Sequence, residues 1–246
     1  MARIFITGSS AGLGQLAAKS LISQGHRVVL HARNQNRKQD TLESVQDAED
    51  VLIGDLSSIE ETKHLAEKVM ALGAFDAIIH NAGVYRTDQE KILTVNTLAP
   101  YILTCLIEKP KRLIYLSSGS HKHGSPSLER IKSGKGVSYS DSKFHDLMLA
   151  KVVARKWPDV YTNAVDPGWV PTKMGGRSAP DDLDKGYETQ VWLAVSDDEK
   201  AKVSGRYFYH KKEANYQSKA DATELQDKFM DVCEQTTGVP FPVELY

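Results

Sequence analysis

Short apolar runs recur along this chain, each separated from the next by a stretch long enough for one amphipathic helix, and that alternation restricts the fold more than any other feature. The runs are Ile4 to Thr7, Arg27 to His31, Val51 to Gly54, Ala77 to His80, Leu113 to Ser117, Tyr161 to Val165 and Arg206 to Tyr209. Helical spacing falls between them near 13–24, 58–72, 91–107, 141–156, 186–195 and 219–236, with a shorter pattern near 35–45. Runs that are apolar throughout read as strands buried on both faces, and parallel strands need a helix-length crossover between them. The pattern therefore predicts a doubly wound α/β architecture, a mostly parallel seven-stranded sheet with helices on both faces. With 246 residues, no internal repeat and no low-complexity linker, one domain over residues 1–246 is expected.

The first strand runs into Thr7-Gly8-Ser9-Ser10-Ala11-Gly12-Leu13-Gly14, which opens a helical pattern. Glycines at 8, 12 and 14 let the backbone turn sharply and approach a pyrophosphate, and the following helix start offers unpaired N–H groups and the positive end of its dipole. A strand–turn–helix of this kind suits a Rossmann dinucleotide site, although the spacing is G-x-x-x-G-x-G instead of G-x-G-x-x-G, and taken alone the turn also reads as an ordinary glycine-rich connection. Ligands of such sheets bind beyond the C-terminal strand ends.

Tyr139-Ser140-Asp141-Ser142-Lys143 is the second informative stretch. A spacing of four on a helix puts two side chains on one face, one turn apart. A free tyrosine ionises near pH ~10 and moves protons poorly at neutral pH, whereas an adjacent ammonium favours the phenolate. The pair is therefore suited to acid–base work.

With these residues in place, the chain resembles the short-chain dehydrogenase/reductase family from Arg3 to at least Gly205. Residues 7–14 match its cofactor turn, with Gly8, Ser9, Ser10, Gly12, Leu13 and Gly14 as expected cofactor contacts. Asp55-Leu56 match the acidic position beside the adenine, and Asn81-Ala82-Gly83 match the family's NAG motif. Asn96, Ser118, Tyr139 and Lys143 match its catalytic set, and Asp166-Pro167-Gly168-Trp169-Val170-Pro171-Thr172 match its segment around the nicotinamide, implying contacts from Pro167, Gly168, Val170 and Thr172. The resemblance implies reversible hydride transfer between a nicotinamide and a carbonyl or secondary alcohol. Tyr139 would exchange the proton, Ser118 would hydrogen-bond the substrate oxygen, Lys143 would contact the ribose and tune Tyr139, and Asn96 would hold a water-mediated proton path. Ser117 and, more remotely, Ser120 are alternatives to Ser118.

Cofactor choice is read at the end of the second strand, where an acid favours NAD and an arginine accommodates the 2′-phosphate of NADP. The chain has Leu30-His31-Ala32-Arg33-Asn34, with Arg37 and Lys38 close behind, so NADP is expected ahead of NAD through Arg33. The turn itself has alanine at position 11 and offers no second cation.

Asn96 follows Gly83 by only 13 positions and Ser118 follows Asn96 by 22, which trims elements that relatives use for subunit contacts and leaves monomer or homo-oligomer undecided. Tyr139 follows Ser118 by 21, and Gly119 to Val137 is expected as a loop at the substrate mouth. Its His121-Lys122-His123 lacks a third ligand nearby, so no metal is expected. Thr172 to Lys185 reads as a substrate lid, and Tyr85 and Trp169 as pocket walls or core.

A formal charge of -1 with no long run of one sign gives no indication of a nucleic-acid or membrane partner; the partner that the resemblance implies is a small-molecule carbonyl or alcohol substrate. Cys105 and Cys233 are expected as buried thiols in a reducing compartment, and the immediate entry into a strand leaves no room for a signal peptide. A cytoplasmic protein is the expectation. Two other readings use the same fold: a non-catalytic dinucleotide sensor, which would not turn cofactor over, and a sugar-nucleotide epimerase, which would show no net NADPH oxidation.

Overall fold

The computed structural model describes residues 1–242. β1 (Arg3–Ile6), β2 (Arg27–Ala32), β3 (Asp50–Ile53), β4 (Ala77–His80), β5 (Arg112–Leu116), β6 (Tyr161–Asp166) and β7 (Tyr207–Tyr209) form one parallel sheet. The order is β3-β2-β1-β4-β5-β6-β7, extended at the edge by β8 (Lys212–Glu213), which pairs antiparallel with β7. This eighth strand was not legible because it has two residues and no apolar pattern. It exists because His210 and Lys211 both take positive φ, 48° and 60°, and fold the chain back on β7 in a tight hairpin.

Alternation within the strands divides the core between two faces. Phe5, Val29 and Ile78 point to one, against α3 (Ile59–Ala71), α5 (Ala99–Leu106), α7 (Tyr139–Lys156) and α9 (Thr223–Thr237). Ile4, Ile6, Val28 and Leu30 point to the other, against α1 (Gly12–Ser23) and α8 (Leu183–Val195). α2 (Gln35–Ser44) packs on β2 and β3. Cys105 and Cys233 are buried free thiols, as expected. No helix among the described residues is long and apolar enough to cross a membrane.

The single helix expected at 91–107 is divided. α4 (Gln89–Leu93) passes through one π-helical turn, Thr94–Leu98, into α5. Pro100 has no N–H with which to reach the carbonyl four residues back, that of Asn96, and the Ala99 N–H bonds Thr94 O five residues back. Gly119 to Val137 is also more ordered than a loop: a 3₁₀ turn (Gly119–His123) precedes α6 (Leu128–Ser133), which packs on α9. The segment is tied down by Asp141, which accepts from the amide and hydroxyl of Ser125 at 2.8 and 3.0 Å, and by His121. His121 is fully buried, with Nδ1 donating to Ser118 O at 2.7 Å and Nε2 accepting from the Gln217 amide at 3.2 Å, so both its ring nitrogens are used structurally. Among the described residues no cluster of ligands could hold a metal ion.

β1 lies between β2 and β4, where the winding of the sheet reverses, and this switch point opens a crevice beyond the strand ends. Besides His121, three more histidines are buried near these strand ends and α7. Burial pushes His80 down to about 3 and His145 to about 4, and it also lowers His31. Each binds a proton more readily unfolded than folded, so its contribution is complete above about pH 6.5 and is lost as pH falls toward the folded value. His80 stacks on Tyr115 at 4.9 Å, and its Nδ1 has no protein partner, which makes it the cleanest one to replace. Urea unfolding at pH 7.5 and pH 5.0 should show His80→Phe losing about 2 kcal/mol less than the parent over that interval. Equal losses would mean that His80 does not contribute to acid sensitivity.

Candidate active site

The glycine turn is fixed from two sides. Gly8 has φ +63°, and a Cβ there would sit 2.7 Å from the Ala82 Cα; one at Gly14 would lie 2.4 Å from Asn81 Nδ2 and 2.8 Å from Gly8 O. The space is taken by a brace from the end of β4: Asn81 Nδ2 donates to Thr7 O and Gly8 O at 3.0 and 3.1 Å, and the Ala82 amide donates to Thr7 Oγ1 at 3.0 Å. From the β2 side, the His31 ring accepts from the Gly8 amide through Nδ1 at 3.0 Å and donates from Nε2 to Gly54 O at 2.8 Å. Burial keeps this imidazole neutral, as the pattern requires, because Nδ1 must accept. Ser9 Oγ closes the link, donating to Ile6 O at 2.8 Å and accepting from the His31 amide at 2.9 Å.

Two of the expected contact residues lie within this bracing. Ser9 is buried and spends its hydroxyl inside the turn, and Gly14 faces Asn81, so neither lines the groove above. That groove, about 450 Å³, is lined by Gly8, Ser10, Gly12, Leu13, Arg33, Asp55, Leu56, Asn81, Ala82 and Gly83, then by Tyr139, Lys143, Pro167 and Thr172 at its far end. No side chain caps α1, so its first N–H groups remain available to an anion. Arg33, just before the cap of α2, and Arg37, in its first turn, both line the groove; Asn34 caps the helix by accepting from the Arg37 amide at 3.0 Å, and Arg37 also lies 3.5 Å from Asp40. Lys38 turns away to Asp50 at 3.6 Å. Asp55 accepts from the Ser57 amide and hydroxyl at 2.9 and 2.7 Å. Burial works to raise its carboxyl, but these bonds and the charges of Lys91 and Arg33 hold it below the usual range. A glycine turn, a helix start with no side-chain cap, two guanidiniums on the lining and an ionised acid together fit a dinucleotide.

At the other end, Ser138 and Asp141 form a reciprocal capping box that starts α7 at Tyr139, two residues before the expected start. Tyr139 thus stands on the first turn and Lys143 on the second, with the Lys143 ammonium 5.7 Å from the tyrosine ring centre. Lys143 is buried at 5 % exposure and donates to Leu116 O at 2.7 Å and Asp146 Oδ2 at 2.8 Å. The two serines separate. Ser117 is buried and donates to Lys143 O at 2.7 Å, whereas Ser118 stands with Tyr139 on the wall of a second cavity. Asn96, in the π turn, accepts from the Val84 amide at 2.8 Å and donates to Val84 O and Ser142 Oγ at 3.0 Å each, tying the loop after β4 to α7.

The second cavity, about 880 Å³, meets the groove at Leu13, Tyr139, Pro167, Thr172 and Met174. Tyr85 and Trp169 are walls of it and not core, at 44 % and 58 % exposure, and Tyr85 leans on Tyr139 with ring centres 4.7 Å apart. Gly168, Val170, Tyr207 and Tyr209 add to the lining, so Gly168 and Val170 face this cavity and not the groove. Asp166 is held in the wall by the Tyr207 hydroxyl and Gly168 amide, both at 3.0 Å. The stretch 172–185 turns over the junction, with Trp169 Nε1 donating to Gly175 O at 2.8 Å, and passes into α8 at Leu183.

His31, Arg37 and Asp146 were not singled out from the sequence. His31 and Arg37 lie on either side of Arg33, and Asp146 follows Lys143 by one helical turn. That spacing is a usable signal, but only burial shows its strength.

The chain is similar to known proteins over most of its length. A family model described as short chain dehydrogenase matches residues 2–183. The oxidoreductase AN7799 of Emericella nidulans is 46% identical, covering 98% of this chain and 99% of its own. Short-chain dehydrogenase chyC of Penicillium rubens is 41% identical, covering 98% and 100%. Among solved structures, a protein from Mycobacterium Paratuberculosis has a TM-score of 0.83 at 20% identity, covering 99% of this chain and 96% of that one. A blue fluorescent protein from a metagenomic library, in complex with NADPH, has a TM-score of 0.70 at 20% identity, covering 84% and 95%. With a family match over most of its length and relatives above two-fifths identity from end to end, this chain belongs to the short-chain dehydrogenase/reductase family of NAD(P)-dependent oxidoreductases.

Proposed function

We propose that this protein is an NADPH-preferring carbonyl reductase, running in reverse as a secondary-alcohol dehydrogenase, with Asn96, Ser118, Tyr139 and Lys143 as its working set. The observation that carries the reading is the position of Tyr139, which lines both the groove and the second cavity and stands one helical turn from a buried ammonium. A group placed there reaches a substrate in one space while remaining under the control of residues in the other.

A bound nicotinamide supplies or accepts the hydride at the substrate carbon. In the reductive direction Tyr139 gives its phenolic proton to the carbonyl oxygen, and Lys143 stabilises the phenolate left behind. Ser118 donates a hydrogen bond to the same oxygen, where negative charge develops. Asn96 ties the loop after β4 to α7, and in that loop Gly83 leaves room for the Lys143 ammonium, since a Cβ there would lie 3.5 Å from it. Arg33 and Arg37 would hold the 2′-phosphate, and Asp55 the adenine edge. The aromatic walls suit a substrate with a flat apolar body.

Screening carbonyl compounds by loss of NADPH absorbance tests the reading, and net oxidation also separates it from an epimerase or a sensor. On a substrate so found, Tyr139→Phe should lower kcat by about 100-fold to 10,000-fold while NADPH affinity stays near the parent's, because only the proton donor is removed. Turnover within a few-fold of the parent would eliminate Tyr139 as the acid.

Arg33→Asp tests the cofactor preference. It places a carboxylate where the 2′-phosphate would lie, replacing a charge-assisted bond by like-charge repulsion. The ratio of kcat/KM for NADPH to that for NADH should fall by at least tenfold at low ionic strength, with NADH use held or improved. A parent that already prefers NADH, or an unchanged ratio in the variant, removes Arg33 from cofactor choice.

A further inference from the structure

Lys143 has three N–H donors and two protein acceptors among the described residues, Leu116 O at the end of β5 and Asp146 Oδ2 one turn along α7. Both partners of the ion pair are buried, Lys143 at 5 % and Asp146 at 3 % exposure. A charge that far from water is costly unless it is paired, so each group is the condition for the other remaining ionised. The third donor direction is left to the groove that Lys143 lines, and Gly83 presents no side chain to block it: a Cβ there would come within 3.5 Å of the ammonium.

We propose that Asp146 is the positioning residue of the Tyr139 and Lys143 pair. Its carboxylate pins the ammonium at the end of the groove and sets, through that charge, the pH range in which Tyr139 exchanges its proton. The inference rests on the functional reading of Tyr139 and Lys143 given above.

The charges facing this ammonium are few. Tyr139 and Asp146 come from α7 itself, Leu116 contributes a carbonyl dipole from β5, and Asp166 acts from the end of β6 at longer range. Burial works against the Lys143 charge, and Asp146 is the strongest group opposing that loss, so that Lys143 remains an ammonium above its ordinary range. The same carboxylate partly cancels the field of the ammonium at Tyr139. Asp146→Asn keeps an acceptor of the same shape but removes the charge, with two consequences of one sign. While Lys143 stays protonated, it acts on Tyr139 unopposed and favours the phenolate more strongly. Without a counter-charge, however, it gives up its own proton at lower pH.

The experiment has two arms. In the first, kcat/KM for alcohol oxidation is measured against pH. Relative to the parent, the rising limb of Asp146→Asn should move down by about one pH unit, and a falling limb should enter below pH ~10. Asp146→Glu, which keeps the charge, should return the parent's profile. In the second arm, thermal melting without cofactor compares Lys143→Met, Asp146→Asn and the double variant. Lys143→Met strands a buried carboxylate, so the double variant should melt several degrees above Lys143→Met. This arm holds even if Asp146→Asn alone folds poorly, because the comparison needs only Lys143→Met and the double variant. A profile that superimposes on the parent's, or a second substitution that lowers the melting point further, overturns the proposal. Tyr139→Phe assayed alongside separates the two failures. If it stays active, the reading of the site is wrong; if it is inactive while Asp146→Asn keeps the parent's profile, only the role of Asp146 is lost.

Discussion

Contact between the end of β4 and the turn after β1 is the constraint on which the rest of this structure depends. Gly14 and Gly8 lie too close to Asn81 and Ala82 for any side chain, and the asparagine amide closes the gap by donating to two carbonyls of the turn. Strand and turn are therefore locked in register at the point where the sheet reverses its winding. The groove, the free start of α1 and the placement of Arg33 all follow from that lock. His31 extends it to β3, through one buried ring that reaches Gly8 and Gly54 together.

A second rigid body, α7, brings chemistry to this scaffold. Most of the helix is buried, and its start is fixed by the capping box of Ser138 and Asp141. Asp141 also accepts from Ser125 and Arg130, so one carboxylate orients both Tyr139 and the segment before it. Burial pushes this carboxyl up, but its hydrogen bonds to Ser138 and Ser125 hold it below the usual range. The tyrosine thus stands on a capped helix start and not on a loop, which is the support that its proposed role as proton donor needs if its oxygen is to remain in place.

Much of this was legible in the sequence because the signals were local. Each parallel strand fell within a residue of its expected limits, since a run buried on both faces leaves little choice of period. The π turn at Asn96 and helix α6 were not legible. The first arises where Pro100 has no N–H for the Asn96 carbonyl and the Ala99 N–H reaches back five residues to Thr94 O, and the second is held by Asp141 and α9 although the segment is polar and has little helical pattern of its own.

Residue type and spacing by themselves determined the parallel α/β sheet, the glycine turn at its switch point and the stacking of Tyr139 over Lys143, because each is set by contacts within a few residues or by a strict apolar period. Tertiary structure decided how those residues are used. It withdrew Ser9 and Gly14 beneath the groove, turned Ser117 inward and Ser118 outward, brought Arg37 beside Arg33 and set Asp146 against Lys143. The physical reason is common to all of these. Whether a polar side chain is spent on the scaffold or left for a ligand depends on which backbone groups must be satisfied around it once water is gone, and those partners come from strands and helices distant in the chain.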